Sequence, residues 1–371
     1  MPEPLTVDFD LHGLCGVRLV DADAGDVRAV ERQLGPLRHA LEREPDITIR
    51  FVDRAVDPAK LRYLGARDVG WTDDGFFVLK SKKTPVVVRI PMHDVGGRCE
   101  IVAEHGLPAV PFLIAILNLT VLGNGALPLH AAAFELDSVG TLVTGWSKGG
   151  KTELLMAASR AGARYIGDEW VYLTTDGRMA GIPEPIRLWD WHLKQLPEVR
   201  STLGVADRAK LRGIPAVRGV ERAMPGRLRR SGPGRTIRRA MPILEDQLRV
   251  DLKPERLFGT IGDMEGRLDR ILFVVSAAAP DTTLEPIDPL DVAQRMVASL
   301  MYERREFLAL WQQARYAHPG IRNEHIESFE ARQRDLLQRI FAGRPACVVT
   351  HPYPVDIHAL FEAVRPAIVG S

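Results

Sequence analysis

The stretch GWSKGGKTE, residues 145–153, places a lysine and a threonine directly after a run rich in glycine. Its first eight residues fit the pattern G-x-x-x-x-G-K-[ST] in full. Glycines let such a backbone wrap around phosphate oxygens with its N–H groups pointing inward. Lys151 is placed to contact β- and γ-phosphates, and the Thr152 hydroxyl to ligate Mg²⁺. The predicted nucleotide-binding residues are Gly145, Trp146, Ser147, Lys148, Gly149, Gly150, Lys151, Thr152 and Glu153.

The segments on either side of this loop are the elements that would position it. GTLVT (140–144) predicts a buried strand, and KTELLMAASRAG (151–162) predicts a helix that ends at Gly162. The start of that helix adds the positive end of its dipole to the phosphate site. A match to the pattern lodged between a strand and a helix is much more specific than the pattern alone, so we expect nucleotide binding.

Two carboxylates follow the next predicted strand, which begins with ARYI (163–166). Asp168 and Glu169 would then lie at the carboxyl edge of the sheet, where ligands of open α/β sheets bind. One acid at that edge can hold Mg²⁺, and the other can accept a proton from an attacking hydroxyl. The alternative interpretation of such a pair is a solvated turn or a helix cap. A further candidate is His130, at the head of HAAAFEL (130–136), although a lone histidine is more often structural.

The order of His130, the loop and GDEWVYL (167–173) resembles the catalytic domain of HPr kinase/phosphorylase and its related kinases. That family carries a histidine before the strand, a G-x-S-x-x-G-K-[ST]-E loop and an acidic pair on the next strand. The resemblance covers residues 107–192 well and residues 250–365 loosely. It does not extend to residues 1–106.

This resemblance implies a fold akin to phosphoenolpyruvate carboxykinase and phosphoryl transfer from a nucleotide to a hydroxyl, typically of serine. It implies catalytic roles for His130, Asp168 and Glu169, with Asp168 as the proton acceptor. Thr152 and Glu169 are the implied metal ligands, and Ser147 matches the loop serine of the family. The implied cofactors are ATP and Mg²⁺.

The chain also departs from the family pattern. The acidic pair is Asp-Glu where the family has Asp-Asp, and Lys148 stands where the family often has glycine. The family's downstream glycine-rich signature, which shapes the HPr-binding and phosphorylase region, is missing. These departures favour a related kinase acting on a peptide, another protein or a small hydroxyl compound over one that acts on HPr.

Length and composition indicate a two-domain globular protein. The 371 residues are 46% hydrophobic and 26% charged, with a net charge of +1 that gives no global attraction to nucleic acid or an acidic membrane. The most apolar stretch, 107–123, contains two prolines and is short for a membrane span, so we expect a buried helix in a cytoplasmic protein. Residues 1–106 are predicted to be a β-rich scaffold or recognition domain, with strands at 47–52, 75–81, 85–90 and 99–104.

Residues 107–371 are predicted to form the catalytic domain, so the expected fold class is α/β (α+β overall): a P-loop-containing, HPr kinase-like domain behind a β-rich one. Within it, residues 208–239 carry eleven Lys or Arg against one acid, together with eight Gly or Pro. A solvated loop inserted in the catalytic domain is one interpretation. A basic wall that recognises an acidic or phosphorylated substrate is the other. Nucleic acid is disfavoured because no aromatic residues interleave the run.

Two functions remain open from the sequence. The favoured one is a Mg²⁺-dependent kinase that transfers the γ-phosphoryl of ATP to a hydroxyl-bearing peptide, protein or small molecule. The alternative is a nucleotide-binding regulatory or assembly protein that transfers nothing to an acceptor. Asp168 and Glu169 favour the kinase, because a pure binding site has no need of a base. Analogy with the related kinases adds an expectation of a homo-oligomer.

Overall fold

The computed structural model describes residues 4–81, 84–205, 207–209, 211, 249–278 and 280–369. Of the arginine-rich segment predicted at 208–239, residues 210 and 212–239 lie outside the described residues. The role suggested for that segment therefore stays a prediction.

The first sheet is built from the N-terminal part of the chain. Its strands are Leu5–Leu11 (β1), Cys15–Ala22 (β2), Ile47–Val52 (β3), Arg62–Leu64 (β4), Val69–Trp71 (β5), Phe76–Ser81 (β6), Thr84–Arg89 (β7) and Cys99–Glu104 (β8). They are ordered β1-β2-β3-β8-β7-β6-β5-β4, and β2, β3 and β8 run parallel to one another. Buried and half-buried residues alternate along β3, as a strand with one face on a core requires. The predicted strands are confirmed to within one residue.

One helix in this part, Ala24–Leu34 (α1), packs against β1 and β2. It begins at Asp23, whose side chain accepts hydrogen bonds from the N–H groups of Gly25 and Asp26. The Asp26 side chain in turn accepts the N–H of Asp23, which completes a capping box. The buried Asp26 carboxylate also contacts Nδ1 of His105 at 2.6 Å, so it ties α1 to the end of β8.

The second sheet carries the glycine-rich loop. Its strands are Leu127–Leu136 (β9), Val139–Gly145 (β10), Arg164–Gly167 (β11), Trp170–Leu173 (β12), Arg178–Gly181 (β13), Glu265–Arg267 (β16), Arg270–Ser276 (β17), Thr283–Pro286 (β18) and Ala346–His351 (β19). The order is β16-β13-β12-β9-β10-β17-β19-β18, and β11 also pairs with β9. The strands β10, β17 and β19 run parallel, whereas β9 runs antiparallel to β10. Ile186–Trp189 (β14) and Arg249–Leu252 (β15) form a separate antiparallel pair.

Several of the helices that follow the first sheet in the chain pack on this second sheet. Their bounds are Leu113–Gly123 (α2), Lys151–Arg160 (α3), Asp190–Gln195 (α4), Pro197–Ser201 (α5), Glu255–Phe258 (α6), Pro289–Glu303 (α7), Arg305–Ala317 (α8), Glu324–Phe341 (α9) and Ile357–Ile368 (α10). α2, α7 and α9 contact β9 and pack on one another, while α3 contacts β9 and β10 and packs on α10. Nine of the ten residues of β9 are buried, and since neighbours in a strand point to opposite faces, both faces of β9 are covered.

The structure differs from the sequence-based prediction at the start of the apolar helix, which begins at Leu113, after Pro108 and Pro111, and not at 107. The strand predicted at ARYI is β11, which ends at Gly167, so Asp168 and Glu169 follow it as expected and separate it from β12. After residue 288 the chain forms two helices that meet at Arg304. The fold as a whole is α+β, with a β-rich N-terminal part, as expected.

Polar side chains connect the two sheets. Nε2 of His12 lies 2.8 Å from the carbonyl of Gly181, and its Nδ1 lies 3.0 Å from Glu265. The buried side chain of Asn323 donates to the carbonyls of Met92 and Val95, each at 2.9 Å. Because buried polar groups are costly when unpaired, such contacts fix how the N-terminal sheet sits against the second one.

Candidate functional site

The glycine-rich loop, residues 145–152, joins the end of β10 to the start of α3. Its backbone enters the positive-φ region at Gly145 (φ 154°), Lys148 (φ 62°) and Gly150 (φ 108°). A cavity of about 760 Å³ opens beside it. The predicted site residues that line this cavity are His130, Ser147, Lys148, Gly149, Gly150, Lys151, Thr152, Glu153, Asp168 and Glu169. Trp146 instead lies 49% exposed on the other side of the loop, where a second cavity opens.

Lys151 is folded back onto the loop that precedes it. Its Nζ donates to the carbonyl of Trp146 at 3.0 Å and lies 3.4 Å from that of Gly145. The side chain is buried, and this burial lowers the pKa of Lys151, although the carboxylates of Asp168 and Glu169 oppose the shift. An ammonium group that is already poorly solvated, and whose partners among the described residues are carbonyls, can bind an anion at little desolvation cost.

Asp168 lies at the end of β11, where the chain leaves the sheet before β12. Its carboxylate is buried and within 3.3 Å of the Thr152 hydroxyl at the start of α3. Burial, and then the charge of Glu169, raise the pKa of Asp168 to about 7. A carboxyl group in this state can accept a proton near neutral pH, which an ordinary aspartate does poorly.

Glu169 is held differently although it is the next residue. One carboxylate oxygen is 3.1 Å from Nε2 of His130, and the other is 3.4 Å from the guanidinium of Arg187. Burial alone would raise the pKa of Glu169, but the bond from His130 and the charges of Arg187 and Lys151 lower it to about 2. The environment therefore separates the two acids: Glu169 stays ionised, and Asp168 is poised to exchange a proton.

The register of the sheet explains why His130 and Glu169 meet. His130 of β9 pairs with Trp170, the first residue of β12, and the N–H of Ala131 donates to the carbonyl of Glu169 at 3.2 Å. Glu169 takes φ 66°, which directs the chain out of the ladder between the two strands. The break at 168–169 thus places both carboxylates beside the end of β10.

A second carboxylate faces His130 from α7. Oε1 of Glu303 lies 3.1 Å from Nδ1 of His130, an ion-pair distance without the angle of a hydrogen bond. Burial opposes protonation of His130, but the hydrogen bond to Glu169 and the contact with Glu303 raise its pKa overall. His130 therefore lies between two carboxylates that favour its protonated form.

Glu153, in the first turn of α3, is tied to His192 of α4. The N–H of Trp189 donates to Nδ1 of His192, so Nε2 of the ring carries the hydrogen that points at Glu153, 3.1 Å away. Burial would raise the pKa of Glu153, but the bond from His192 lowers it overall. Glu153, predicted from the sequence as a nucleotide-binding residue, is thus also the contact that anchors α4 beside the loop.

His351, the last residue of β19, contacts the glycine-rich loop. Its Nε2 lies 2.8 Å from the carbonyl of Gly149, and the side chain is 1% exposed. A Cβ at Gly150 would lie 2.2 Å from that nitrogen. The structure thus makes His351 a packing residue of the glycine-rich loop.

Replacing Gly150 with alanine is expected to destabilise the protein by more than about 1–3 kcal/mol, because the strain of φ 108° adds to the collision with His351. Denaturant unfolding measures this change in the free energy of unfolding, provided that its slope against denaturant concentration is the same in variant and wild type. The matched control is Gly162→Ala, since Gly162 also has positive φ (85°) but would place its Cβ with nothing within 4 Å. Equal losses in the two variants would show that His351 does not press on the loop.

Several residues of the site were not predicted from the sequence: Arg187, His192, Glu303 and, as a loop contact, His351. Arg187 lies 18 positions after its partner Glu169, and no spacing in the sequence pointed to the pair. Glu303 is 173 positions after His130, and nothing in the intervening sequence links the two. No short-range pattern could have identified these contacts.

The described residues contain one cluster with metal-ligand spacing, formed by Asp23, Asp26 and His105. Hydrogen bonds account for it: Asp23 caps α1, and Asp26 accepts from His105 and from the N–H of Gly106. Among the described residues no helix has both the length and the apolar character needed to cross a bilayer.

Comparison with known proteins returned no matching family model and no matching curated protein. The resemblance to HPr kinase/phosphorylase therefore stays a prediction from the motifs, and the geometry of the site carries the functional argument.

Proposed function

We propose that the protein is a Mg²⁺-dependent kinase that transfers the γ-phosphoryl of ATP to a hydroxyl group. The observation that carries this proposal is the position of Asp168. Its buried carboxylate lies 3.3 Å from the hydroxyl of Thr152, in the same cavity as Lys151 and the glycine-rich loop. A nucleotide-binding site without chemistry needs the loop and a metal ligand, but it has no use for a second carboxyl group that is buried so that it can exchange a proton near neutral pH.

The residues present suit Mg²⁺. The Thr152 hydroxyl and the neighbouring carboxylates of Asp168 and Glu169 form an all-oxygen donor set of the kind that this hard cation prefers. Thr152 and Glu169 would hold the ion, since Glu169 is the carboxylate whose lowered pKa keeps it charged. Bound there, Mg²⁺ supplies charge neutralisation at the phosphates.

The chain's own groups divide the remaining work. Lys151 leaves the loop carbonyls to bind phosphate oxygens, together with the loop N–H groups. Asp168 takes the proton of the acceptor hydroxyl as the new O–P bond forms and the bond to the β-phosphate oxygen breaks. Arg187 and His130, the latter in the protonated form that its two carboxylate partners favour, line the cavity and stabilise the negative charge of the transferred phosphoryl group.

Glu303→Gln is expected to lower the pKa of His130, because it removes one of the two carboxylates that raise this pKa against burial. The measurement is an NMR titration of the imidazole signals in nucleotide-free protein, with the signal of His130 assigned by its loss in a His130 variant. Glu306→Gln, an exposed change on α8, is the control and should leave the titration unaltered. If the titration of His130 were unchanged in Glu303→Gln, Glu303 would not be one of the groups that raise the pKa of His130.

The proposal is tested by incubating the protein with γ-labelled ATP, Mg²⁺ and either a cell lysate or a metabolite extract. We expect label to move to an acceptor and ATP to be consumed only when an acceptor is present. Tight ATP binding with no labelled acceptor in any extract would contradict the kinase and favour a regulatory nucleotide-binding protein.

A further inference from the structure

A second cavity, of about 530 Å³, lies on the side of the glycine-rich loop away from the acids. It is formed by the loop, by the end of β17 and by one face of α7. Ser147, Lys148 and Gly149 line both this cavity and the one that holds Asp168. A single ligand seated on the loop can therefore occupy both cavities.

The lining of this cavity is mainly apolar. Its apolar residues include Trp146, Phe273, Val275 and Met296, and Arg295 places its guanidinium over the ring of Phe273 at 5.9 Å. None of the described residues that line it is acidic. Its volume falls within the range of roughly 300–1,000 Å³ typical of small-molecule sites.

Trp146 is held in place on the rim of this cavity. Its ring packs against Tyr302 with centroids 4.9 Å apart, and the guanidinium of Arg305 lies 3.9 Å from the centre of the Tyr302 ring. Even so, Trp146 remains 49% exposed. An indole that packs against a neighbouring ring and is still exposed is suited to stack on a planar ligand.

The hydroxyl of Ser299 makes no hydrogen bond within the part of the fold that the structure describes. Ser299 lines the cavity and is 2% exposed. A serine within a helix can donate to the carbonyl one turn back, and an unpaired buried hydroxyl is costly. A ligand with a hydrogen-bonding edge would satisfy this group.

We propose that this cavity binds the heteroaromatic base of the nucleotide, specifically the adenine of ATP. The inference rests on the proposed function, because it needs the phosphates to lie in the glycine-rich loop. Trp146 stacks on the face of the base, the hydroxyl of Ser299 hydrogen-bonds its edge, and Phe273 and Met296 enclose it. The base and the transferred phosphoryl group then lie on opposite sides of the loop.

Ala298→Trp is the most direct test, because Ala298 is an exposed residue on the cavity wall and a large side chain there fills the cavity without entering the core. Calorimetry would compare binding of Mg-ADP with binding of inorganic tripolyphosphate, which has no base. We expect Ala298→Trp to weaken Mg-ADP binding by about tenfold or more and to leave tripolyphosphate binding unchanged. Ala298→Ser, which fills nothing, is the control and should behave as wild type.

Ser299→Ala provides a second variant that removes only the hydroxyl. It should weaken Mg-ADP binding by about two- to tenfold without affecting tripolyphosphate. Unchanged Mg-ADP affinity in Ala298→Trp, with tripolyphosphate still bound, would overturn the base site and leave the phosphate site standing. If wild type bound neither ligand, the proposed function and the base site would both be overturned.

Discussion

Replacing Lys151 with alanine should abolish phosphoryl transfer and weaken Mg-ATP binding by about 10- to 100-fold. The reason is the position of its ammonium group, which is buried, lines the cavity and hydrogen-bonds within the described part of the chain to loop carbonyls alone. The negative charges of Asp168 and Glu169 act on it as well. A charge-assisted bond to a phosphate formed in such a dry environment is much stronger than one formed at the surface. Labelled transfer measures the first effect, and calorimetry with a non-hydrolysable ATP analogue measures the second.

The matched control for this prediction is Lys148→Gly. Lys148 is a cation of the same loop, but it is exposed and has φ 62°, so glycine removes the charge while relieving the backbone. Its effect on both measurements should be smaller than that of Lys151→Ala, because the exposed charge of Lys148 is screened by solvent. Transfer that persists in Lys151→Ala, or that is lost equally in Lys148→Gly, would count against the assignment of Lys151.

Asp168→Asn should separate binding from chemistry. Asparagine has almost the same shape and can keep the contact with Thr152, but it cannot take a proton from a hydroxyl. We expect kcat to fall by about 10²–10⁴-fold, the usual contribution of a general base. Binding of the ATP analogue should remain within about threefold of wild type, because the variant alters a group used in the chemical step.

The same variant should not be less stable than wild type at pH 8 without metal. Burial and Glu169 raise the pKa of Asp168 to about 7. For an acid whose pKa is higher in the folded state than in the unfolded one, stability falls as pH rises from the unfolded pKa to the folded one, since the folded chain must give up a proton that it holds more tightly. Neutral asparagine avoids this cost, so the melting temperature should be equal or higher.

Asp190→Asn is the control for Asp168→Asn. Asp190 lines the same cavity, but it is ion-paired with Lys194 at 2.9 Å and faces Arg200. Its loss should leave kcat near the wild-type value. Near-normal turnover in Asp168→Asn, or an equal defect in Asp190→Asn, would mean that Asp168 is not the proton acceptor.

The elements that carry the site could be read from the chain because each is encoded by neighbouring residues. β10, the glycine-rich loop and α3 follow from an apolar run, a glycine pattern and a helical period that ends at Gly162. The β-rich N-terminal part follows in the same way from short alternating strands such as β3. The start of α2 was placed too early because periodicity does not weigh the effect of Pro108 and Pro111 on the residues before them.

The sequence by itself determined the types of group at the site: a lysine, a hydroxyl, two carboxylates and a histidine, each beside an element that ends near the same edge. Only the tertiary structure decided the burial, the partners and the pKa values of those groups. The pKa values of Asp168 and Glu169 diverge because one is buried beside Thr152 while the other is bonded to His130 and Arg187. His130 and Arg187 lie on other strands, β9 and β14. Glu303 and His351 likewise come from other elements, α7 and β19. Burial and long-range pairing depend on how the sheet and its helices close on one another, which no local pattern in the chain records.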